Sequence, residues 1–287
     1  MADLSFFSLV TAPVHVISAS GIVLSKATCF FYKQDAKWSY LVTNWHVVTG
    51  RDPLRPQNSR TGAVPARLRL LLHANVGAKT INSIRKIPFE IEINDSTGDM
   101  PTWSEHPTHK YKVDLVVMKI ENDEKFKGDV TCSYLSEYPD FQNDFFPSVM
   151  DNAFVIGYPW GLTGGDPVLP LYKRGSVASE PIVDFGSLPR FLIDCRSSEA
   201  MSGSPVLCTS SGLWAPNGVT FSSVVGTVEN FAGVYSGRLK AVDVSPEKNA
   251  DLKLGSSGRK VHWTRFWTAV CRVPNLVSFG KVMVRER

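Results

Sequence analysis

The amino-acid sequence predicts an all-β protein, and two observations carry that prediction. Apolar runs of strand length recur along most of the chain, broken by Gly, Pro and Ser, a pattern that favours barrels over helices. One of them, Pro88-Phe89-Glu90-Ile91-Glu92-Ile93, alternates with a period of two, as a half-buried strand does. With 287 residues, 43% of them apolar, the chain can bury a full core and has the length of one large or two small domains.

Taken in order, Val14-His15-Val16-Ile17 and Cys29-Phe30-Phe31-Tyr32 read as strands separated by a Gly/Ser stretch. Lys33 to Lys37 reads as a polar hairpin turn, and Trp38 to Val48 returns as a strand that delivers His46. Arg51 to Thr61, rich in Pro, Arg and Asn, reads as a long surface loop. Leu68 to His73 and Pro88 to Ile93 read as strands, and Asp95 to Lys112 as a second loop holding His106 and His109. The apolar run opened by Asp114 closes a first barrel, so a first domain is expected over 1–120. Residues 121–150, charged and then aromatic with Pro, read as the crossing to a second barrel over 151–245. The tail, 246–287, carries a flexible Gly255-Ser256-Ser257-Gly258 segment and reads as either irregular or helical, the helix being Val261 to Val270 packed on the second barrel. No internal repeat is found.

Composition excludes several classes. A net charge of +4 with no dense block of like charges gives no footprint for nucleic acid. Five widely spaced cysteines without a CxxC pair support neither a zinc site nor a disulfide framework, and they suit a reducing compartment. No cofactor-binding motif is present. The N-terminus lacks a cationic signal region, and no stretch reaches the roughly 18 to 20 apolar residues of a membrane helix. A cytoplasmic protein without a membrane partner is expected.

The chemistry concentrates in three blocks. Glu199-Ala200-Met201-Ser202-Gly203-Ser204-Pro205-Val206 looks like a nucleophile on a tight turn before a buried strand, with Gly supplying backbone freedom. A serine hydroxyl is a weak nucleophile and needs a base, itself oriented by a third group. Thr43-Asn44-Trp45-His46-Val47-Val48 supplies the candidate base, and Asp114 before Leu115-Val116-Val117-Met118-Lys119-Ile120 supplies the candidate orienting group. Ser204 is the alternative nucleophile; Asp95, Asp99 and Asp166 are alternative carboxylates. Cys29 lies close to the His46 wall, with nothing to mark it as reactive.

These blocks, in the order His, Asp, Ser, resemble those of chymotrypsin-like (trypsin-like) serine proteases. The bacterial branches with the high-temperature-requirement proteases and glutamyl endopeptidases are the most similar. Val155-Ile156-Gly157-Tyr158-Pro159-Trp160-Gly161 and Arg174-Gly175-Ser176-Val177-Ala178-Ser179 resemble the opening of the second barrel there. The resemblance spans roughly residues 10 to 245, five blocks in order. It implies two six-stranded antiparallel Greek-key barrels and a catalytic triad of His46, Asp114 and Ser202. It also implies an oxyanion hole from the backbone N–H groups of Ala200 and Ser202. Relatives usually carry Gly at the Ala200 position, so a glycine-only geometry there would be strained by about 1–3 kcal/mol. Met201 replaces the Asp that pairs with a newly cut N-terminus in secreted trypsins, which leaves control to loops or a regulatory protein partner. Ser236 resembles the serine that supports the catalytic Asp and begins the strand that pairs with peptide substrate. The specificity pocket would be lined by Arg196, Ser197, Ser198, Tyr235 and Arg238. The two arginines either favour an acidic side chain or point to solvent. The expected function is that of a serine endopeptidase acting on protein or peptide substrates. The rival is a catalytically dormant protease-fold module that binds or regulates, with Ala200 as its cue.

Overall fold

A computed structural model describes residues 4–33, 37–59, 62–74, 86–98, 100–121, 130–131, 133–138, 146–164, 168–214, 224–239 and 267–271. The expected turn over 33–37 lies mostly outside them; so do most of the 121–150 crossing, Cys132, the 255–258 segment and the first part of the expected tail helix.

The first half contributes β1 (Thr11–Ser18), β2 (Val23–Lys33), β3 (Trp38–Thr43), β4 (Arg51–Asp52), β5 (Arg55–Ser59), β6 (Pro65–Ala74), β7 (Lys86–Glu92), β8 (Trp103–Glu105), β9 (Val116–Glu121) and β10 (Val130–Thr131). The second contributes β11 (Asn152–Gly157), β12 (Leu171–Val177), β13 (Arg190–Asp194), β14 (Pro205–Trp214), β15 (Val224–Leu239) and β16 (Trp267–Cys271). All pairings are antiparallel. The all-β, two-unit architecture expected from the sequence is present.

Two expectations need correction, while the first unit meets its own as a half-barrel: a curled eight-stranded sheet, ordered β10-β6-β1-β2-β3-β9-β8 with β7 on β6. Its two ends are β7 and the three-residue β8. Among the described residues the seam between them is spanned by a turn carrying one isolated bridge, Asn94 to Pro101. The Arg51–Thr61 region is not simply a loop, because β4 and β5 pair as a short hairpin. In the tail, Trp267–Cys271 is a strand and not part of a helix. It fills the gap between β13 and β15, running from Arg190↔Cys271 to Ile193↔Thr268 on one edge and from Val234↔Cys271 to Leu239↔Trp267 on the other. Without it, two strand edges would face each other with unpaired backbone groups, which β pairing removes and a helix would not. The second barrel, β11-β12-β13-β16-β15-β14, is closed by it.

Alternate side chains of one strand enter different cores, which explains the unbroken apolar runs. Cys29 and Phe31 pack inside the first sheet, while Phe30 and Tyr32 turn to the seam between the two units. Val116 and Met118 face the first core and Val117 the seam. Val155 and Val206 fill the second barrel, while Ile156 and Leu207 meet the seam from the other side. A strand buried on both faces has no polar side to alternate. Each large side chain buried this way stabilises by about 1.5–3 kcal/mol, and the seam fixes one half against the other. Along its edge, strand ends from both halves meet.

Candidate active site

His46 lies in α1 (Trp45–Thr49), a single helical turn directly after β3, stopped by Gly50 in the left-handed region at φ 67°. The Gly50 N–H donates to the His46 carbonyl at 2.9 Å. Asp114 precedes β9. Because Thr43 pairs with Val116, the end of β3 and the start of β9 are neighbours by register, and the His and Asp are brought together by two adjacent strands.

Asp114 is 3% exposed and has φ 52°, a conformation that Asp tolerates better than most residues. Its main chain is held on both sides. Its N–H donates to the Tyr111 carbonyl at 2.9 Å, and its carbonyl accepts from Asn44 Nδ2 at 2.7 Å. The carboxylate accepts the His46 backbone N–H at Oδ1 (3.0 Å) and the Ser236 hydroxyl at Oδ2 (2.6 Å). His46 Nδ1 lies 2.8 Å from Oδ2 and 3.0 Å from Oδ1. A carboxylate only accepts, so Nδ1 carries the ring proton and Nε2 is left as a base.

The Ser202 turn is anchored on the same scaffold. The Ser202 carbonyl accepts from the Thr28 N–H (2.8 Å), and the Gly203 N–H donates to the Tyr235 carbonyl (3.1 Å). Gly203, at φ 85°, packs so closely that a Cβ would stand 2.1 Å from the Thr28 carbonyl oxygen and 2.5 Å from Thr43 Oγ1. Thr43 lies three residues before His46, and Tyr235 lies next to Ser236. The serine turn therefore sits against the strand leading to His46 and against the residue before the Asp114 partner. Ser202 is partly exposed.

The carbonyls of residues 199–202 are all occupied. Glu199 accepts from the Trp160 N–H (2.8 Å), Ala200 from Thr28 Oγ1 (3.0 Å), and Met201 from the Ser204 N–H (3.0 Å). In a trans peptide the N–H points opposite to the preceding carbonyl, so these bonds orient the Ala200 and Ser202 N–H groups. Among the described residues neither donates to a protein acceptor. Ala200 adopts φ 66°, so the left-handed geometry that suits Gly is taken by Ala, at about 1–2 kcal/mol. Met201 is fully buried in the core of the second barrel, where an apolar side chain belongs.

Of the alternatives, Ser204 and Asp95 lie among the described residues. Ser204 is fully buried, its hydroxyl against Gly157. Asp95 is engaged by Thr97 in an exposed turn; Asp99 and Asp166 lie outside the described residues. Cys29, Cys195, Cys208 and Cys271 are buried thiols, and burial pushes Cys208 and Cys271 up to about 12. Of the pocket residues, Ser197, Ser198 and Tyr235 are buried while Arg196 is exposed. Arg238 is also exposed, yet its Nε donates to Ser197 Oγ (3.1 Å) and its Nη2 to the Ser197 carbonyl (2.6 Å). No cluster able to hold a metal occurs among the described residues, and none of their helices is long and apolar enough to cross a membrane.

Sequence reading assigned no role to Asn44, Thr28 or Trp160, although Asn44 and Trp160 stand inside the quoted blocks. Thr28 carries no sequence signal, because Ala200, whose carbonyl it holds in the serine turn, is 172 residues away in the chain.

A comparison with curated proteins finds no match. Among solved structures, the inactive form of Rv3671c from M. tuberculosis H37Rv, a serine-to-alanine mutant, is 12% identical. The match covers 98% of this chain and 89% of that one, with a TM-score of 0.45. A second structure, Rv3671c protease in its inactive form, is 13% identical over 96% and 88% with a TM-score of 0.44. The family model for the trypsin-like peptidase domain matches residues 27–215, a span that includes His46, Asp114 and Ser202. The chain belongs to the trypsin-like peptidase domain family.

Proposed function

We propose that the protein is a serine endopeptidase that cleaves peptide bonds of protein substrates through an acyl-enzyme on Ser202. The observation that carries this reading is the buried Asp114 carboxylate, which accepts a hydrogen bond from His46 Nδ1–H at 2.8 Å while Ser236 holds the same oxygen. That arrangement leaves Nε2 to accept the Ser202 hydroxyl proton as Oγ bonds to the scissile carbonyl carbon. The same proton passes to the leaving amine as the C–N bond breaks. Water then repeats the sequence, and the acid is released. The Ala200 and Ser202 N–H groups would meet the developing oxyanion, a contribution of about 3 kcal/mol per donor in hydrolases of this kind.

Activation through an acidic residue at position 201 has no place here, so control by loops or a protein partner belongs to the same proposal. Residence in a reducing, cytoplasmic compartment is supported by the buried thiols. The rival, a dormant binding module, draws on the strained Ala200 at φ 66°.

The experiment is labelling of the intact protein with a fluorophosphonate probe, read by mass, beside the Ser202→Ala variant. An adduct on the wild type that is lost in Ser202→Ala is expected. A folded wild type that takes no adduct would favour the dormant module.

A further inference from the structure

One side chain near the serine turn was not singled out in the sequence. Lys173, on β12, reaches across to Ser198 and donates to its hydroxyl at 2.6 Å. Ser198 is 4% exposed and stands four residues before Ser202. Next to it Ser197, 7% exposed, receives the Arg238 guanidinium at two of its oxygens. Arg238 itself lies two residues beyond Ser236, on the strand whose Ser236 hydroxyl holds Asp114. The buried Tyr235 phenol also bonds with Ser197 and Arg238. Two cations from separate strands thus converge on adjacent buried serines, on the wall between the serine turn and the β15 edge.

The electrostatics agree with the geometry. Lys173 is held below the ordinary lysine range, first by burial and further by the charges of Arg196 and Arg238. Three cations are gathered where mutual repulsion is unfavourable, and an incoming carboxylate would relieve it. A basic side chain entering the same place would add to it.

We propose that this wall is an acid-binding subsite, in which Lys173 and Arg238, positioned by Ser198 and Ser197, receive the Asp or Glu side chain on the acyl side of the scissile bond. The inference rests on the serine endopeptidase reading and adds its substrate class. Sequence alone left open whether the arginines meet substrate or solvent. Arg238 turned onto Ser197, together with Lys173, favours substrate. Arg196 acts only through its field.

The test has two arms. In the first, kcat/KM is measured on tetrapeptide p-nitroanilides that differ only in the last residue: Glu, Asp, Gln, Leu or Lys. Glu or Asp should exceed the isosteric Gln by about tenfold or more, as charge-assisted hydrogen bonds exceed neutral ones, and Lys should be the poorest. The Glu-to-Gln ratio should collapse in Lys173→Met and again in Arg238→Gln. Gln cleaved as well as Glu, by a protein that the fluorophosphonate labels, would overturn the subsite and leave the protease reading standing. The second arm needs no turnover. Binding of amidated peptides ending in Glu or Gln to Ser202→Ala is measured by calorimetry. Tighter binding of the Glu peptide by about tenfold supports the subsite even if no substrate is cleaved, and equal binding of the two peptides refutes it.

Discussion

Replacing Asp114 by Asn tests the proposed site at its most determined point, because both oxygens of the carboxylate have assigned partners. Oδ1 accepts the His46 backbone N–H at 3.0 Å, and Oδ2 accepts Ser236 at 2.6 Å and His46 Nδ1 at 2.8 Å. The Asn carbonyl will take the Oδ1 place, since the backbone N–H cannot reverse its polarity. The amide NH2 then stands at the Oδ2 place. Ser236 adapts by rotating its hydroxyl to accept, but the imidazole adapts only by changing tautomer, with the proton on Nε2. An Nε2–H cannot receive the Ser202 proton. The side chain is isosteric and its partners stay satisfied, so stability should change by no more than about 1–2 kcal/mol. Activity should fall by about four orders of magnitude, equivalent to about 5.5 kcal/mol of barrier. The assay is kcat/KM on a chromogenic peptide, with thermal unfolding of the same sample as the control for folding. An Asp114→Asn protein that melts like the wild type and hydrolyses within tenfold of it would refute the assignment of His46 as the base that Asp114 orients.

Two further outcomes are expected. Gly203→Ala would place a Cβ 2.1 Å from the Thr28 carbonyl oxygen at φ 85°; the clash is with backbone, so a loss of at least about 2 kcal/mol in denaturant unfolding and a sharp loss of fluorophosphonate labelling are expected, and a variant with native stability and labelling would contradict the packing described. His73, 8% exposed beside Lys86, is held down to about 3, chiefly by burial. The unfolded chain, with an ordinary histidine, binds the extra proton as pH falls through about 6.5. Stability attributable to His73 is therefore intact above about pH 6.5 and drains away towards pH 3, with a slope of at most about 1.4 kcal/mol per pH unit. A His73→Phe protein should show a shallower acid limb in denaturant midpoints between pH 7 and 4.5; parallel curves for variant and wild type would show that His73 does not contribute.

The sequence by itself determined the strand-rich class and the three chemical blocks. The continuous apolar runs after Asp114 and after Ser204 record strands buried on both faces, and the residues at their ends stand where the two halves meet. His46, Asp114, Ser202 and Ser236 were legible because each sits in a short block whose local geometry its neighbours impose. Examples are the glycine after Ser202 at φ 85° and the glycine that stops the His46 turn at φ 67°. Other features depended on closure over long distances, which no local pattern encodes. Trp267–Cys271 is a strand because β13 and β15 leave an edge that must be paired. Lys173 meets Ser198 across 25 residues, and Thr28 meets Ala200 across 172, because antiparallel pairing and the packed seam carry distant residues to one cleft. Local sequence decides which groups can do the chemistry. The tertiary structure decides which of them face each other, because hydrogen-bond closure and two-sided burial are satisfied only when the whole sheet is assembled.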